Sequence, residues 1–169
     1  CKIEELVWIR TLYTYPERIT DELLDLMASE EKLVKYLDMP IQHINGDILK
    51  KMNRKGNKES ITALINKIRE KVKDITLRTT LITGFPSETE EQFCELHQFV
   101  KDIGFDRLGC FAYSAEEDTL AASMPDQIDE QVKQDRMDIL MREQLEVNEA
   151  KNREMVGKTI TVLCEDYDP

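Results

Sequence analysis

The sequence predicts an α/β fold with a parallel β-sheet, and three features of its 169 residues lead to this prediction. Short runs rich in β-branched and aromatic residues alternate with amphipathic helical segments. The helical segments are long enough to cross a sheet, so right-handed βαβ units are the expected connection. Polar residues and tight turns follow several strand-like runs, which is typical of the carboxyl edge of such a sheet.

The first three predicted elements are a strand, a helix and a second strand. Residues 5–15, ELVWIRTLYTY, form the first run of β-branched and aromatic residues. Thr20 is expected to cap the following helix, because its hydroxyl can accept a hydrogen bond from a free backbone N–H. Residues 33–43, LVKYLDMPIQH, predict the second strand.

The middle of the chain predicts two helices and then two further strands. A short helix over 46–52 precedes an amphipathic helix over 57–73, in which apolar side chains recur at helical spacing. The β-branched run TLRTTLIT begins at Thr76 and predicts the third strand. Residues 105–113, FDRLGCFAY, predict the fourth.

The helix between the third and fourth strands is expected to begin directly after the turn at Gly84. Ser87 and Glu90 have the S-x-x-E spacing of a capping box. The acidic residues at 88, 90 and 91 suit the positive end of a helix. The third strand is therefore expected to end abruptly.

A long charged helix is predicted over 128–154, and the alternating run GKTITVLCED after it is typical of the first strand of a small β-domain. Apolar residues of the helix lie near one stripe. This stripe consists of Ile128, Val132, Met137, Leu140, Met141 and Leu145.

Composition excludes some classes of function. The formal net charge of −11 disfavours a general nucleic-acid-binding surface. The four cysteines have no metal-binding spacing, so reduced thiols are the expected interpretation. No apolar run is long enough to span a bilayer and no signal-peptide pattern is found, so a cytoplasmic protein is expected.

Polar side chains gather at the predicted carboxyl ends of neighbouring strands, which favours a ligand site at this edge. Gln42 and His43 end the second strand, Gly84 and Phe85 follow the third, and Tyr113 ends the fourth. Two alternatives stay open at this point. The strand-two residues could cap the short helix, and the phenylalanine could simply pack in the core.

Arg78 lies inside the third predicted strand, where an unpaired charge would be costly to bury. It could contact a ligand at the sheet edge. It could equally pair with a buried carboxylate, and Asp38 and Asp106 are the candidates.

Three segments resemble the radical S-adenosylmethionine (SAM) methylthiotransferases. They are YLDMPIQHINGDILKKMNRKG, LRTTLITGFPSETEEQF and FDRLGCFAYSAEEDT, in the family's order. The resemblance implies the C-terminal part of a radical SAM partial (βα) TIM-like barrel over 1–125 and a linker helix over 126–155. The start of a TRAM β-domain is implied over 156–169, and the chain is expected to be a fragment of a longer protein.

The resemblance is closest to the branch that adds a methylthio group to the β-carbon of an aspartate in small-subunit ribosomal protein number twelve. The tRNA-modifying branch usually has serine-glycine-serine after the strand-two glutamine, where this chain has IQHI. An acidic enzyme would also attract a basic ribosomal substrate. A tRNA methylthiotransferase, which would add a nucleic-acid partner, and a non-catalytic binding module stay open as alternatives.

The resemblance implies SAM and two 4Fe-4S clusters as cofactors of the whole enzyme, with an electron donor as a further partner. One cluster, held by a C-x-x-x-C-x-x-C motif, would cleave SAM reductively to a radical that abstracts hydrogen from an unactivated carbon. The second cluster would support sulfur insertion, and a second SAM would provide the methyl group. The motif is absent from this chain, so the chain alone is expected to be inactive.

The resemblance also implies a set of SAM-binding residues, and no catalytic residue or metal ligand, within this chain. The two residues that end strand two would face the cofactor region, and the arginine would hold the charged amino-acid or ribose portion. The glycine and phenylalanine would lie in the loop near the adenine, with the tyrosine on the same side. The set consists of Gln42, His43, Arg78, Gly84, Phe85 and Tyr113.

The turn after the third strand departs from the family pattern. The glycine that is common before Glu88 is Ser87 here, and this serine is expected to be tolerated as a helix N-cap. The broader motif G-x-I-x-G-x-x-E has Thr80 at its first glycine and its glutamate one place late.

Overall fold

A four-stranded parallel sheet with the order β1-β2-β3-β4 organises the computed structural model, which describes residues 3–164. The predicted α/β class with a parallel sheet is confirmed. The strands are β1 (Ile9–Thr11), β2 (Leu33–Asp38), β3 (Thr76–Thr83) and β4 (Arg107–Ala112).

Helices connect the strands in the alternating order that the sequence predicts. A short 3-10 helix (Pro16–Arg18) and one α-helix follow β1, two α-helices follow β2, one follows β3 and a long one follows β4. The α-helices are α1 (Asp21–Ser29), α2 (Gly46–Lys51), α3 (Lys58–Lys71), α4 (Glu90–Ile103) and α5 (Glu130–Met155).

The two faces of the sheet differ in burial. In β3 every second residue is buried against the helices, and the residues between them are only half-buried. The main core lies on the helix-covered side, where Leu77 and Leu81 of β3 pack with Ile65 and Phe99. Full burial of one such side chain contributes about 1.5–3 kcal/mol. The opposite face is more open and carries the exposed Phe111 of β4.

The start of α1 confirms the predicted cap. Thr20 is the N-cap residue, and its hydroxyl accepts a hydrogen bond from the Leu23 N–H at 3.3 Å. Leu24 and Met27, which lie on the predicted inward face, are fully buried.

The first strand is shorter than the sequence predicts. Only Ile9–Thr11 pairs with β2, and the register shifts between these two residues. β1 has a single neighbour, so few ladder hydrogen bonds hold its ends. Val7 and Trp8, which precede it, are exposed instead of buried.

The capping box of α4 lies two residues beyond the predicted one. Thr89 is the N-cap, and its side chain and that of Gln92 each bond to the other's backbone N–H. Ser87 has φ +68°, and its N–H donates to the Asp126 carbonyl oxygen at 2.9 Å. The Glu88 carboxylate accepts from the Gly84 N–H, so it does not lie free at the helix start. The prediction of an N-cap serine is therefore wrong.

The predicted apolar stripe of α5 is only partly buried. Leu140 is buried and Met137 packs against the core, but Val132, Met141 and Leu145 are exposed. The other side chains that α5 buries are polar, namely Lys133, Arg136 and Gln144. The tertiary partners of the helix, which are carboxylates and backbone carbonyls, determine which face is buried.

The predicted strand after α5 is not formed in the part that the structure describes. Residues 158–164 have no regular secondary structure. Residues 165–169, where this predicted strand ends, lie outside the described residues. The domain boundaries stay predictions.

Replacement of Ser87 tests the left-handed turn. The left-handed conformation destabilises an L-residue by about 1–2 kcal/mol. Glycine avoids this strain, but the greater entropy that it gives the unfolded chain offsets about 0.5–1 kcal/mol of the gain. We expect Ser87→Gly to raise the free energy of unfolding by about 0.5 kcal/mol and Ser87→Val, which is β-branched, to lower it by about 1–2 kcal/mol. Urea unfolding midpoints measure both changes. Equal stability of the glycine and valine variants would contradict the strained turn.

Candidate functional site

The carboxyl ends of β2, β3 and β4 lie side by side and form the edge that the sequence predicts. The Gln42 N–H donates to the Thr80 carbonyl oxygen at 2.9 Å, and the Ile82 N–H donates to the Gln42 carbonyl oxygen at 2.9 Å. The Tyr113 N–H donates to the Thr83 carbonyl oxygen at 2.9 Å. These backbone bonds bring Gln42, Tyr113 and the turn after β3 to one edge.

Gln42 is half-buried and has an unusual backbone. Its φ of +67° is in the left-handed region, which costs a non-glycine residue free energy and is enriched at functional sites. It lines a small groove with Tyr13, Tyr15 and Arg54. The Arg54 guanidinium lies over the Tyr15 ring at 5.0 Å and donates to the Pro40 carbonyl oxygen at 3.0 Å. No single sequence motif indicates this groove, because its residues come from separate segments.

Phe85 and Tyr113 form an aromatic pair at the same edge. Their ring centroids are 5.2 Å apart with an interplanar angle of 68°, a favourable edge-to-face geometry. Both are buried with Ile48, and Met124 from the loop before α5 packs against them. The Tyr113 hydroxyl is buried and has no hydrogen-bond partner among the described residues. It is thus a buried polar group at this edge whose hydrogen-bonding capacity the described residues leave unused.

Residue 84 must be glycine because α5 packs closely against it. Its φ is +69°, and a Cβ built on it would lie 2.8 Å from the Cβ of Lys133 and 3.2 Å from its Cα. The family resemblance implies that this glycine lies in the loop near the adenine of the cofactor. The structure places α5 beside it, so α5 fills the side on which a Cβ would lie.

Glu88 holds the turn between β3 and α4. One carboxylate oxygen accepts hydrogen bonds from the Gly84 N–H and, at 3.2 Å, from the Phe85 N–H. Burial raises the pKa of Glu88, while the positive charge of Arg136 and these two amides oppose the rise. Its role depends on long-range contacts with α5, which no short sequence motif indicates.

His43 is fully buried beside the edge. Its Nδ1 accepts the Asn45 N–H at 3.0 Å, and Asn45 itself is the N-cap of α2. Burial, assisted by the positive charge of Arg136, lowers the pKa of His43 to about 4. The imidazole is therefore neutral with its proton on Nε2, which has no partner among residues 3–164.

The low pKa of His43 predicts a loss of stability in acid. The unfolded chain binds this proton below pH 6.5, whereas the folded chain binds it only below about pH 4. As the pH falls from 6.5 to 4, protonation favours the unfolded state and lowers the free energy of unfolding by up to about 3 kcal/mol. Urea unfolding across this range measures the effect. His43→Asn, which keeps an acceptor near the Nδ1 position, should remove that share of the pH dependence, and an unchanged pH profile would contradict the assignment.

Arg78 is separated from this edge. It precedes Gly84 by six positions in the sequence, which corresponds to about 20 Å along an extended strand. Its Nη1 lies 2.9 Å from Oδ1 of Asp38, whose side chain is 1% exposed. The arginine side chain is 34% exposed and lines an open recess with Arg10, Tyr36 and Arg107 of the neighbouring strands.

Of the two candidate partners of Arg78, the structure shows Asp38. Asp106 accepts from the Leu77 N–H at 2.8 Å and pairs with Lys151 of α5. The structure thus brings together five of the six predicted site residues and places Arg78 in an ion pair elsewhere on the sheet.

No metal site is found within the described part of the chain. Among residues 3–164, no three His, Cys, Asp or Glu side chains are grouped so that they could hold an ion. Burial raises the pKa of Cys110 to about 12, so it remains a protonated thiol and a poor ligand. Cys94 is exposed on α4.

The helices of residues 3–164 lack the combination of length and apolar character needed to cross a bilayer. α5 is the longest of them, and it is rich in charged residues.

Curated relatives match almost the whole chain. It is 52% identical over 165 residues to ribosomal protein uS12 methylthiotransferase RimO of Trichlorobacter lovleyi, covering 98% of this chain and 37% of that protein. It is 50% identical to the RimO of Clostridioides difficile, with the same coverage. The chain therefore spans little more than a third of the length of these relatives.

Solved structures match the fold. Coproporphyrinogen III oxidase (HemN) of Escherichia coli, described as a radical SAM enzyme, superposes with a TM-score of 0.67 at 26% identity over 83% of this chain and 32% of that chain. The archaeal Elp3 of Methanocaldococcus infernus superposes with a TM-score of 0.57 at 13% identity over 82% of this chain and 32% of that chain. At that identity, the second likeness shows the fold alone.

The family model of the radical SAM superfamily matches residues 2–100, more than half of the chain. The match includes β1 to β3 and most of α4, and with them the turn that carries Gly84 and Phe85. The superfamily implies SAM and a 4Fe-4S cluster as cofactors. The chain belongs to the radical SAM superfamily.

Proposed function

We propose that this chain is part of a radical SAM methylthiotransferase that adds a methylthio group to the β-carbon of an aspartate in ribosomal protein uS12. The observation that carries the proposal is the 52% identity to a RimO over 98% of the chain. The sequence IQHI after β2, where the tRNA-modifying branch usually has serine-glycine-serine, supports the same branch. The enzyme would act in the cytoplasm with an electron donor as a further partner.

The residues at the sheet edge fit SAM. Gln42 offers a half-buried amide, and the Phe85–Tyr113 pair, which is buried in this structure, places aromatic rings suited to an adenine at the same edge. The buried hydroxyl of Tyr113 is an unused donor at the same edge. We assign Gln42, Phe85 and Tyr113 to SAM contact, with His43 and Gly84 as supports of the edge. Arg78 we assign to its ion pair with Asp38.

The cysteines of this chain do not fit a 4Fe-4S cluster. They lack C-x-x-x-C-x-x-C spacing, and Cys110 is a buried, protonated thiol. We propose that both clusters are held by the part of the protein outside this chain, since the RimO relatives are much longer. When bound, SAM and its cluster supply the radical chemistry that removes hydrogen from an unactivated carbon. This chain's residues bind SAM, orient it and exclude water.

The proposal is tested by the intact mass of uS12 from cells that lack the gene for the full-length protein and from cells that carry it. We expect uS12 to gain the mass of one methylthio group in place of a hydrogen only when the gene is present. Analysis of tRNA nucleosides from the same cells tests the alternative. Methylthiolated adenosine that depends on the gene, with unmodified uS12, would identify a tRNA enzyme instead.

A further inference from the structure

α5 buries a polar face, although burying charged groups is expensive. Lys133 and Arg136 are 2% and 6% exposed, and Gln144 on the same face is also buried. Exposed apolar residues, such as Val132 and Leu145, lie on the other sides of the helix. Leu140 is also fully buried and Met137 packs against the core, so apolar burial holds this part of the helix. Burial of the charged groups is costly without partners, so the contacts of Lys133 and Arg136 are the ones that specify how α5 meets the sheet edge.

Arg136 makes the central contacts of this face. Its Nη1 donates to the Glu88 carbonyl oxygen at 3.2 Å and lies 3.4 Å from the Glu88 Oε1. Its Nη2 donates to the Glu90 carboxylate at 3.0 Å, and its guanidinium lies over the Phe93 ring at 5.3 Å. One planar guanidinium thus contacts the βα turn and the first turn of α4 together, which a lysine could not do.

Glu88 transmits this contact to the turn at the sheet edge. The residue is 2% exposed, and its carboxylate accepts hydrogen bonds from the N–H groups of Gly84 and Phe85. A buried carboxylate needs a nearby cation, and Arg136 is the cation that contacts it. Without this positive charge, the buried carboxylate would be expected to become hydrated or protonated. Its hydrogen bonds to the two amides would then weaken.

Lys133, one helical turn before Arg136, completes the contact between α5 and the edge. Its main-chain oxygen accepts the Thr83 hydroxyl at 3.2 Å, and its side chain fills the space that a Cβ on Gly84 would need. Its ammonium lies 5.3 Å from the centroid of the Tyr113 ring. The residues of α5 therefore contact both sides of the proposed SAM-binding edge.

We propose that Arg136 is a positioning residue for the SAM-binding turn, and that it acts through Glu88. The inference rests on the proposed function for its ligand, but the connection from Arg136 to Glu88 to the Gly84–Phe85 amides stands on the contacts alone.

The test compares variants of the full-length, cluster-reconstituted protein. Arg136→Met removes the guanidinium. Arg136→Lys keeps the positive charge but lacks the planar guanidinium that contacts several groups at once. Lys151→Met is the matched control, because Lys151 is a cation of the same helix that pairs with Asp106 far from the turn. The readouts are hydrogen exchange of the peptide over residues 84–88 and the Kd for SAM.

We expect Arg136→Met to speed exchange in this peptide and to raise the Kd for SAM, each by about tenfold. Arg136→Lys should lie between it and the wild type, and it keeps the test usable if the methionine variant does not fold. Lys151→Met should leave both readouts unchanged. Equal effects of Arg136→Met and Lys151→Met, or faster exchange in Arg136→Met with an unchanged Kd, would overturn the positioning role.

Failure of the proposed function gives a different result. If the wild-type protein does not bind SAM but exchange still separates the Arg136 variants from the Lys151 control, the radical SAM role is overturned. That outcome would still support the connection from Arg136 to the turn.

Discussion

Gly84→Ala is expected to lower the free energy of unfolding by about 4 kcal/mol, because the left-handed backbone costs an L-residue about 1–2 kcal/mol and overpacking adds about 1–3 kcal/mol. The new methyl group would overlap with the Lys133 side chain and lie 3.2 Å from its Cα, which the helix holds in place. Either β3 or α5 would have to move. Urea unfolding of the variant and the wild type measures this loss.

Gly104→Ala is the matched control for this prediction. Gly104 also has a positive φ, of +56°, but nothing lies within 4 Å of a Cβ built on it. Gly104→Ala should lower the free energy of unfolding by about 1 kcal/mol, because only the left-handed backbone, and no steric overlap, opposes the new methyl group. In a Lys133→Gly background, Gly84→Ala should cost less than in the wild type, because the atoms that it overlaps are gone. Equal losses at the two glycines would show that α5 does not constrain the turn.

Arg78→Ala is expected to lower the free energy of unfolding by about 3 kcal/mol, since it leaves the buried Asp38 carboxylate without its cation. Asp38 is 1% exposed, and among residues 3–164 its other oxygen accepts only the Tyr13 N–H, at 3.4 Å. This loss is at the low end of the range for breaking a buried ion pair, because the arginine side chain is 34% exposed and solvent screens its charge. Urea unfolding of the full-length protein measures the change.

The double variant Arg78→Ala/Asp38→Asn separates the ion pair from a cofactor role. Removal of both charges should recover most of the lost stability, because no buried charge remains unpaired. The Kd for SAM should change little in either variant, since Arg78 lies about 20 Å along β3 from the turn. A large loss of SAM affinity with unchanged stability would instead make Arg78 a cofactor contact.

Local sequence signals predicted the strands, the helices and the edge where polar groups meet. The Thr20 cap and the buried positions of α1 follow from rules that involve only neighbouring residues. The start of α4 did not, because Thr89 and Gln92 form the capping box in place of the predicted Ser87 and Glu90. The recruitment of Glu88 by the Gly84 and Phe85 amides, together with the left-handed turn at Ser87, moved the cap to Thr89.

The buried face of α5 could not be predicted from hydrophobic periodicity. The partners of the helix are the Glu88 and Glu90 carboxylates, the Tyr113 ring and backbone carbonyls, so the face that meets them carries Lys133 and Arg136. Such a surface is assembled from residues distant in sequence, and it buries charged side chains together with the apolar Leu140. The same reason explains why Glu88 and Arg136 were not recognised as parts of the site.

The most direct measurement is a crystal structure of the full-length, cluster-reconstituted protein with SAM bound. We expect the adenine of SAM to lie against the Phe85–Tyr113 edge, with Gln42 in contact and the Gly84–Phe85 turn still held by Glu88. SAM bound elsewhere in the protein, with this edge out of contact, would contradict the assignment of the strand ends to cofactor binding.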